Sequence, residues 1–162
     1  MATAFCVGDM AVYPVQGVTE ILRIETLEIA GFTSRFYVLK CIDSDDTIRV
    51  PLNNVDQVGL RSVVDKDGVE AVLCRLRAPE VVIEEPNWNR RQRRYYEKLQ
   101  SGDLTEVALV LRDLHLTGRD KQLSYGERRV QETAMQLLVQ ELAVAQGSPH
   151  VEVEAQIEQL LG

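Results

Sequence analysis

The chain has 162 residues and a net charge of −7 at neutral pH, and 45% of its residues are hydrophobic while 27% are charged. These proportions are typical of a folded globular protein with one or two domains and exclude an intrinsically disordered chain. No apolar run approaches the roughly 20 residues of a membrane helix, and the N-terminus lacks the pattern of a signal peptide, so we expect a cytoplasmic protein.

The first part of the chain has the alternating pattern of β-strands. From Val7 to Val58 apolar and polar residues mostly alternate, and Pro14 and Gly17 mark a tight turn near the first strand. Three further runs end at turn residues: Val18–Ile29, Arg35–Ile42 and Thr47–Leu52. The spacing predicts a small antiparallel β barrel or sheet over residues 1–64.

The last of these runs carries Pro51, which has no N–H to donate to a sheet. Pro51 therefore belongs on an edge strand or at a strand end. An exposed edge strand can accept a strand from a partner protein.

The period of the apolar residues changes after Asp65. Gly68–Arg77 has helical spacing, and we expect this helix to pack on or beside the β domain. Ala78–Pro86 is bracketed by prolines and is interpreted as a linker. Residues 65–86 are therefore assigned to one helix and a linker.

Residues 87–162 predict a C-terminal all-α domain of about four helices. Capping boxes are expected at Asp103 with Glu106 and at Ser124 with Glu127. The expected helices are about Asn87–Gln100, Asp103–Leu116, Ser124–Gln146 and Val151–Leu161. The predicted fold class is α+β, with two domains.

The sequence gives no pattern for a metal site or an active site. The cysteines lie more than thirty residues apart and the histidines lack ligand spacing: Cys6, Cys41, Cys74, His115 and His150. The acidic turn at residues 43–46 lacks the EF-hand pattern, and no grouping of nucleophile and base stands out. We expect no enzyme, no metal and no cofactor.

Charge is distributed unevenly along the chain. Residues 1–86 carry 8 Lys and Arg against 14 Asp and Glu, residues 87–129 carry 10 against 6, and residues 130–162 carry none against 5. A basic island therefore lies between two acidic blocks. This segregation favours one surface for an anionic partner and other surfaces for something else.

The basic island begins with N-W-N-R-R-Q-R-R-Y-Y-E-K-L, which holds the only tryptophan and four arginines. Trp88 shares a helix face with Tyr95 and Leu99, which is typical of core packing. The alternative is an indole that presses into the minor groove of DNA at a base step. The arginines at positions 90, 91 and 94 are expected on the other side of this helix.

Clustered cations are unfavourable at a helix start, where the helix dipole is positive. A solvated helix face is one interpretation of the arginines in this segment. The other is that they contact an external anion such as DNA phosphate. Phosphate contacts position a protein on DNA without reading its sequence. Arg128 and Arg129 of a later helix extend the same basic track.

In order and spacing, several motifs together resemble the CarD/CdnL family of bacterial transcription regulators. They are G-D-M-A-V-Y-P-V-Q-G-V, F-Y-V-L-K, I-R-V-P-L-N-N-V, V-G-L-R, N-W-N-R-R, E-K-L-Q-S-G-D, L-R-D-L, L-S-Y-G-E-R-R and L-L-V-Q-E-L-A. The β half is also similar to the polymerase-interacting module of transcription-repair coupling factors. Those enzymes carry helicase motifs, and no Walker A pattern occurs here.

The resemblance implies a Tudor-like N-terminal domain that docks on the β subunit of RNA polymerase. It also implies a helical domain that contacts promoter DNA at the upstream edge of the transcription bubble and stabilises the open complex. Trp88 matches the family's DNA-contacting wedge, and three arginines match its basic contact positions. The three matching arginines are Arg90, Arg93 and Arg128, and Arg91 and Arg94 are added because they belong to the same cluster. The expected DNA contacts are therefore Trp88, Arg90, Arg91, Arg93, Arg94 and Arg128.

The resemblance also places polymerase docking on the strand Ile48–Leu52, through Arg49, Val50 and Pro51. Leu27 stands where some relatives have a second basic docking residue, so that part of the contact is apolar or weaker here. From the residues alone, an ordinary strand with an exposed Arg49 is an equal alternative.

The expected function is that of a non-enzymatic transcription regulator, acting as a monomer that reaches the nucleoid through RNA polymerase. Its contact with promoter DNA should be largely independent of sequence. The alternative is a polymerase-bound interaction adaptor whose helical domain recruits another protein in place of DNA.

Overall fold

The computed structural model describes residues 5–14, 16–79 and 87–162. The chain divides into two compact units, Met1–Val63 and Val64–Gly162. Strands fill the first unit and helices the second, which confirms the predicted α+β class with two domains. In the described part of the chain, no helix combines the length and the apolar character needed to cross a bilayer.

The first unit is a five-stranded antiparallel sheet with the strand order β4-β3-β2-β1-β5. A 3-10 turn at Leu52–Asn54 and a single helical turn, α1, at Val55–Val58 connect its last two strands. The strands are β1 Met10–Tyr13, β2 Gly17–Ile29, β3 Phe32–Cys41, β4 Thr47–Pro51 and β5 Arg61–Ser62. The edge position predicted for Pro51 is confirmed, because Pro51 is the last residue of the edge strand β4.

Strands β2 and β3 form a long hairpin that closes at Ala30 and Gly31, as their turn chemistry predicts. Both residues have positive φ, +52° and +81°, which is the geometry of a two-residue type I′ turn. Strand β4 pairs with β3 only from Phe36 to Lys40. The tip of the hairpin is therefore two strands wide, and Ile29 and Phe32 lie exposed on it.

The β core joins the sheet to the segments before and after it. Buried residues of β1 to β4 cluster with Phe5, Val55 and Leu60. The Tyr37 hydroxyl accepts a hydrogen bond from the Phe5 N–H at 3.1 Å and donates one to its carbonyl at 3.2 Å. This pair of bonds holds the segment before β1 onto the sheet.

The second unit contains five described helices. They are α2 Lys66–Leu76, α3 Trp88–Gln100, α4 Leu104–Asp120, α5 Tyr125–Gln146 and α6 His150–Leu161. The four helices expected after residue 87 are all present, and the capping box of Ser124 with Glu127 is confirmed. At α4, Asp103 caps the Thr105 N–H, while the Glu106 carboxylate binds Lys98.

The buried face of α2 joins the helical core, so the expectation that this face packs on or beside the β domain is wrong. Its buried side chains belong to the helical core: Val69, Val72, Leu73 and Leu76. The segment around α2 is also hydrogen-bonded into this unit at both ends. Glu141 accepts from the Val64 N–H at 2.9 Å, and Arg112 donates to the Ala78 carbonyl at 2.6 Å. Most of the predicted linker, residues 80–86, lies outside the described residues.

Truncation of α2 should therefore destabilise the helical unit. Leu76→Ala removes a fully buried side chain, and we expect a loss of about 2–5 kcal/mol in the free energy of unfolding of that unit. Urea unfolding followed by the fluorescence of Trp88 measures it. Cys74→Ala is the control, because Cys74 is exposed on the same helix. Equal stabilities of the two variants would contradict this placement of α2.

Candidate nucleic-acid interface

The basic island is formed where two helices begin. The Asn87 side chain accepts a hydrogen bond from the Arg90 N–H at 3.3 Å and starts α3. The capping box of Ser124 starts α5. These starts lie side by side, since a Cβ added to Gly126 would come within 2.8 Å of Cζ2 of Trp88. Two positive helix ends therefore converge at the indole.

Trp88 is half-buried at this junction. Its ring packs on the helical core with its centroid 6.4 Å from that of the buried Tyr95 ring, at an interplanar angle of 60°. Trp88 and Tyr95 thus share a helix face, as predicted. The core-packing interpretation accounts for the inner part of the indole, and the remaining part of the ring is accessible to a partner.

Arg91 was expected on the side of α3 opposite Trp88, and this expectation is wrong. Its guanidinium lies 5.2 Å from the centroid of the Trp88 ring, and its Nη2 donates to the Glu127 carboxylate at 3.0 Å. Arg91 follows Trp88 by three positions, which places both on one helix face. Arg91 Nε is buried without a hydrogen-bond partner among the described residues, at a cost of about 1–3 kcal/mol.

The exposed arginines of α3 form a separate face. Arg90, Arg93 and Arg94 all point to solvent, and their spacing of three and four residues aligns them along the helix. At the start of α5, Arg128 and Arg129 are exposed as well. We call these five arginines the basic face. Its α3 members lie on the helix that carries the indole, and its α5 members lie at the helix start that contacts the indole.

Tyr125 is a residue of this surface that the sequence analysis missed. Its side chain is 69% exposed, and the Arg129 guanidinium lies 5.9 Å from its ring centroid. Its place beside the arginine pair in L-S-Y-G-E-R-R was the available signal. An exposed aromatic ring next to cations has the composition of a nucleic-acid contact.

Glu127 organises the inner side of the interface. Burial alone would raise the pKa of its carboxyl, but hydrogen bonds from Ser124 and the charges of Lys121 and Arg91 outweigh it, so the pKa lies below its usual value. The carboxylate therefore stays charged and accepts from Arg91. Beneath it, the Tyr95 hydroxyl donates to Asp113, and burial raises the pKa of both groups.

Removal of the Glu127 charge should lower stability in a pH-dependent way. Glu127→Gln keeps a side chain that can complete the capping box but loses the charged partner of Arg91, so we expect a loss of about 2 kcal/mol at neutral pH. Because the pKa is lowered on folding, this contribution is present above the unfolded value near 4.5 and is lost as the pH falls through the folded value.

Urea unfolding of both proteins from about pH 3 to about pH 7 measures this difference, because that interval spans the usual pKa of a glutamate carboxyl. The difference in the free energy of unfolding between wild type and Glu127→Gln should narrow as the pH falls below about 4.5. A gap that stays constant over this range would contradict the assignment of the effect to the Glu127 carboxylate.

The predicted docking strand lies on the first unit, at the edge of the sheet. Arg49 is half-exposed and its Nε donates to the Glu25 carboxylate at 3.2 Å, while Arg23 approaches the same carboxylate at 2.8 Å. These hydrogen bonds, from Arg23 first and then Arg49, lower the pKa of Glu25. Arg49 is thus oriented by an internal carboxylate and keeps an exposed flank.

The other expected docking residues differ in exposure. The Val50 side chain is 2% exposed and belongs to the β core, so only its main chain is open to a partner. Pro51 is half-buried at the end of β4. Leu27 is exposed on β2. Over the described residues, no group of His, Cys, Asp and Glu could hold a metal ion.

Two family profiles match the chain and together span most of it. The profile described as CarD, C-terminal domain, matches residues 71–158, and the CarD-like/TRCF RID domain matches residues 5–64. The chain belongs to the CarD family. The resemblance identified from the motifs is thereby confirmed, and the protein is a CarD-like transcription factor of the RNA polymerase-interacting kind.

Two relatives of this CarD-family protein illustrate the match. The proposed transcription factor YdeB of Bacillus subtilis (strain 168) is 26% identical over 151 residues, which is 93% of this chain and 98% of YdeB. A solved structure of CdnLNt from Myxococcus xanthus is 45% identical and covers 41% of this chain and 93% of its own, with a TM-score of 0.34. Family membership rests on the two profile matches.

Proposed function

We propose that this CarD-family protein docks on the β subunit of RNA polymerase through the edge strand β4 and stabilises the open promoter complex. Its helical unit would contact DNA at the upstream edge of the transcription bubble. The observation that carries the proposal is the basic face of a chain of net charge −7, on the two helices whose starts meet at a half-exposed indole.

The arginines of α3 provide the phosphate contacts. Arg90, Arg93 and Arg94 are exposed, and none makes an ion pair within the described residues. Unpaired exposed guanidinium groups release counterions when they meet phosphate, and they bind without reading sequence. Arg128 adds a contact from α5 and lines, with His115 and Arg119, an open depression between α4 and α5.

Trp88 provides the preference for melted DNA. An indole pressed against an unstacked base step contributes on the order of 1–3 kcal/mol. A closed duplex does not offer that step, so the indole binds the open state better. Only such a difference in affinity between two states can shift the equilibrium towards one of them.

Docking of the β unit on the polymerase would hold the helical unit close to the promoter. Strand β4 lies at an edge, so its main chain can pair with a strand of the polymerase, while Arg49 can meet a carboxylate of the partner. An acidic protein with a small basic face binds free DNA weakly. Docking on the polymerase raises the effective concentration of the basic face at the promoter.

A second candidate is an adaptor whose helical unit recruits a protein. The surface of α6 favours it, because Glu152, Glu154 and Glu158 are exposed there and residues 130–162 contain no Lys or Arg. Such a surface suits a basic protein partner. In this case the basic face would have no role at the promoter.

Substitution of the arginines decides between these candidates. Arg90→Gln and Arg93→Gln should each reduce the slope of log affinity against log salt by about 1, in the polymerase–promoter complex. They should also remove photo-crosslinks between α3 and DNA. Arg35→Gln is the control, since Arg35 is exposed on β3. If Arg90→Gln and Arg93→Gln leave the salt dependence and the DNA crosslinks unchanged but abolish binding of a protein partner, the adaptor is favoured.

A further inference from the structure

We propose that Arg91 and Glu127 form a clamp that fixes the orientation of the Trp88 indole before DNA is met. Arg91 is then a positioning residue that acts through Trp88, in contrast to the exposed arginines of the basic face. The clamp concerns the free protein and can be tested there. Its consequence for transcription rests on the proposed function.

The indole is held from several directions. Tyr95 packs against its inner side, and the backbone of Gly126 leaves no room for a Cβ beside Cζ2. The Arg91 guanidinium lies over the ring at 5.2 Å from its centroid. A cation over an indole face is attracted by the ring's electrons, so Arg91 adds a contact that restrains the ring.

Arg91 is itself fixed by a buried partner. The Glu127 side chain is 3% exposed and the Arg91 side chain 20% exposed, so water screens their 3.0 Å contact little. Glu127 is held in turn by the capping box of Ser124. The start of α5 thus determines where the guanidinium lies, and the guanidinium determines where the ring lies.

This arrangement commits Arg91 to the interior. Its Nη2 binds Glu127 and its Nε is buried, whereas Arg90 and Arg94 on the same helix are exposed. A phosphate contact by Arg91 would break its pair with a charged, buried carboxylate. A ring already held in place loses less rotational freedom when it binds, which is the benefit of preorganisation.

Fluorescence of the full-length protein tests the clamp, because Trp88 is the only tryptophan. In Arg91→Gln we expect the acrylamide quenching constant to rise at least about twofold. Loss of even a weak cation–π contact changes the population of the held ring by about this factor. The fluorescence anisotropy should fall as well. Glu127→Gln should give the same direction of change, and Arg90→Gln, which removes an exposed charge, should give none.

Circular dichroism first establishes that each variant is folded. Should Arg91→Gln fail to fold, Arg91→Lys answers the same question, since it keeps the ion pair and lacks a planar guanidinium over the ring. Quenching and anisotropy equal to wild type in the folded variants would overturn the clamp.

A double-mutant cycle tests the action through Trp88. The lifetime of the open complex is measured for Arg91→Gln alone and in the Trp88→Ala background. We expect Arg91→Gln to shorten the lifetime at least about twofold in the wild-type background and to have no further effect when the indole is absent. Equal effects in both backgrounds would mean that Arg91 contacts DNA itself, and would overturn its assignment as a positioning residue.

The two experiments fail separately. If Trp88→Ala leaves the lifetime unchanged, the proposed function falls, and fluorescence still decides whether the clamp exists. If the fluorescence of the folded variants is unchanged, the clamp falls, and the effect of Trp88→Ala still decides the proposed function.

Discussion

Replacing Trp88 with alanine should shorten the lifetime of the open promoter complex about tenfold. Loss of the indole removes on the order of 1–3 kcal/mol of stacking, and 1.4 kcal/mol corresponds to a factor of ten in rate. This energy is gained only when strands are separated at the upstream edge. The substitution should therefore speed closing of the bubble and leave binding to free polymerase unchanged.

The lifetime is measured by challenge of preformed complexes with a DNA competitor. Trp88→Phe should give an intermediate lifetime, because a smaller ring can still stack. Val151→Ala is the surface control, since Val151 is exposed on α6. Trp88 also packs on the helical core, so the assay temperature must lie below the unfolding of the variant. A wild-type lifetime in a folded, polymerase-bound variant would refute the wedge mechanism.

Reversing the charge of Arg49 should weaken docking on the polymerase β subunit at least tenfold. Arg49→Glu loses a charge pair with the partner, for which coupling energies of about 1.5–7 kcal/mol are measured at close interfacial pairs. It also places a second carboxylate beside Glu25, which Arg49 contacts at 3.2 Å. Like charges at this separation repel and turn the side chain away from its binding orientation.

Titration of a β-subunit fragment against the full-length protein measures the dissociation constant. Arg75→Glu is the matched control, because it makes the same change of charge at an exposed position of α2, outside the docking strand. Arg49→Lys keeps the charge and should retain part of the affinity. An affinity for the fragment that Arg49→Glu leaves unchanged would remove Arg49 from the docking surface.

Much of the fold follows from periodicity in the sequence. The hairpin turn at Ala30, the edge position of Pro51 and the capping box at Ser124 were predictable, because each depends on residues close together in the chain. The packing of α2 was not. Its period of 3.6 residues predicts a helix with one apolar face, but nothing local determines which core that face joins.

The site shows the same division. The outward position of Arg49 and the inward position of Val50 follow from alternation along a strand. The shared face of Trp88 and Arg91 follows from their spacing of three positions. The clustering of charge nevertheless led to the expectation that Arg91 lies with the other arginines on the opposite side. The pairing of Arg91 with Glu127 spans 36 residues, and such a contact depends on how α3 packs against α5.

The four buried side chains of α2 have a consequence for dissecting the protein. A protease that cuts the chain between α2 and α3 would not liberate the β unit from the helices. The amino-terminal fragment would keep α2, and α2 would keep its place among α4, α5 and α6, so the two pieces would co-purify as a complemented pair. Separation of the two compact units requires scission near Val63, where the first unit ends.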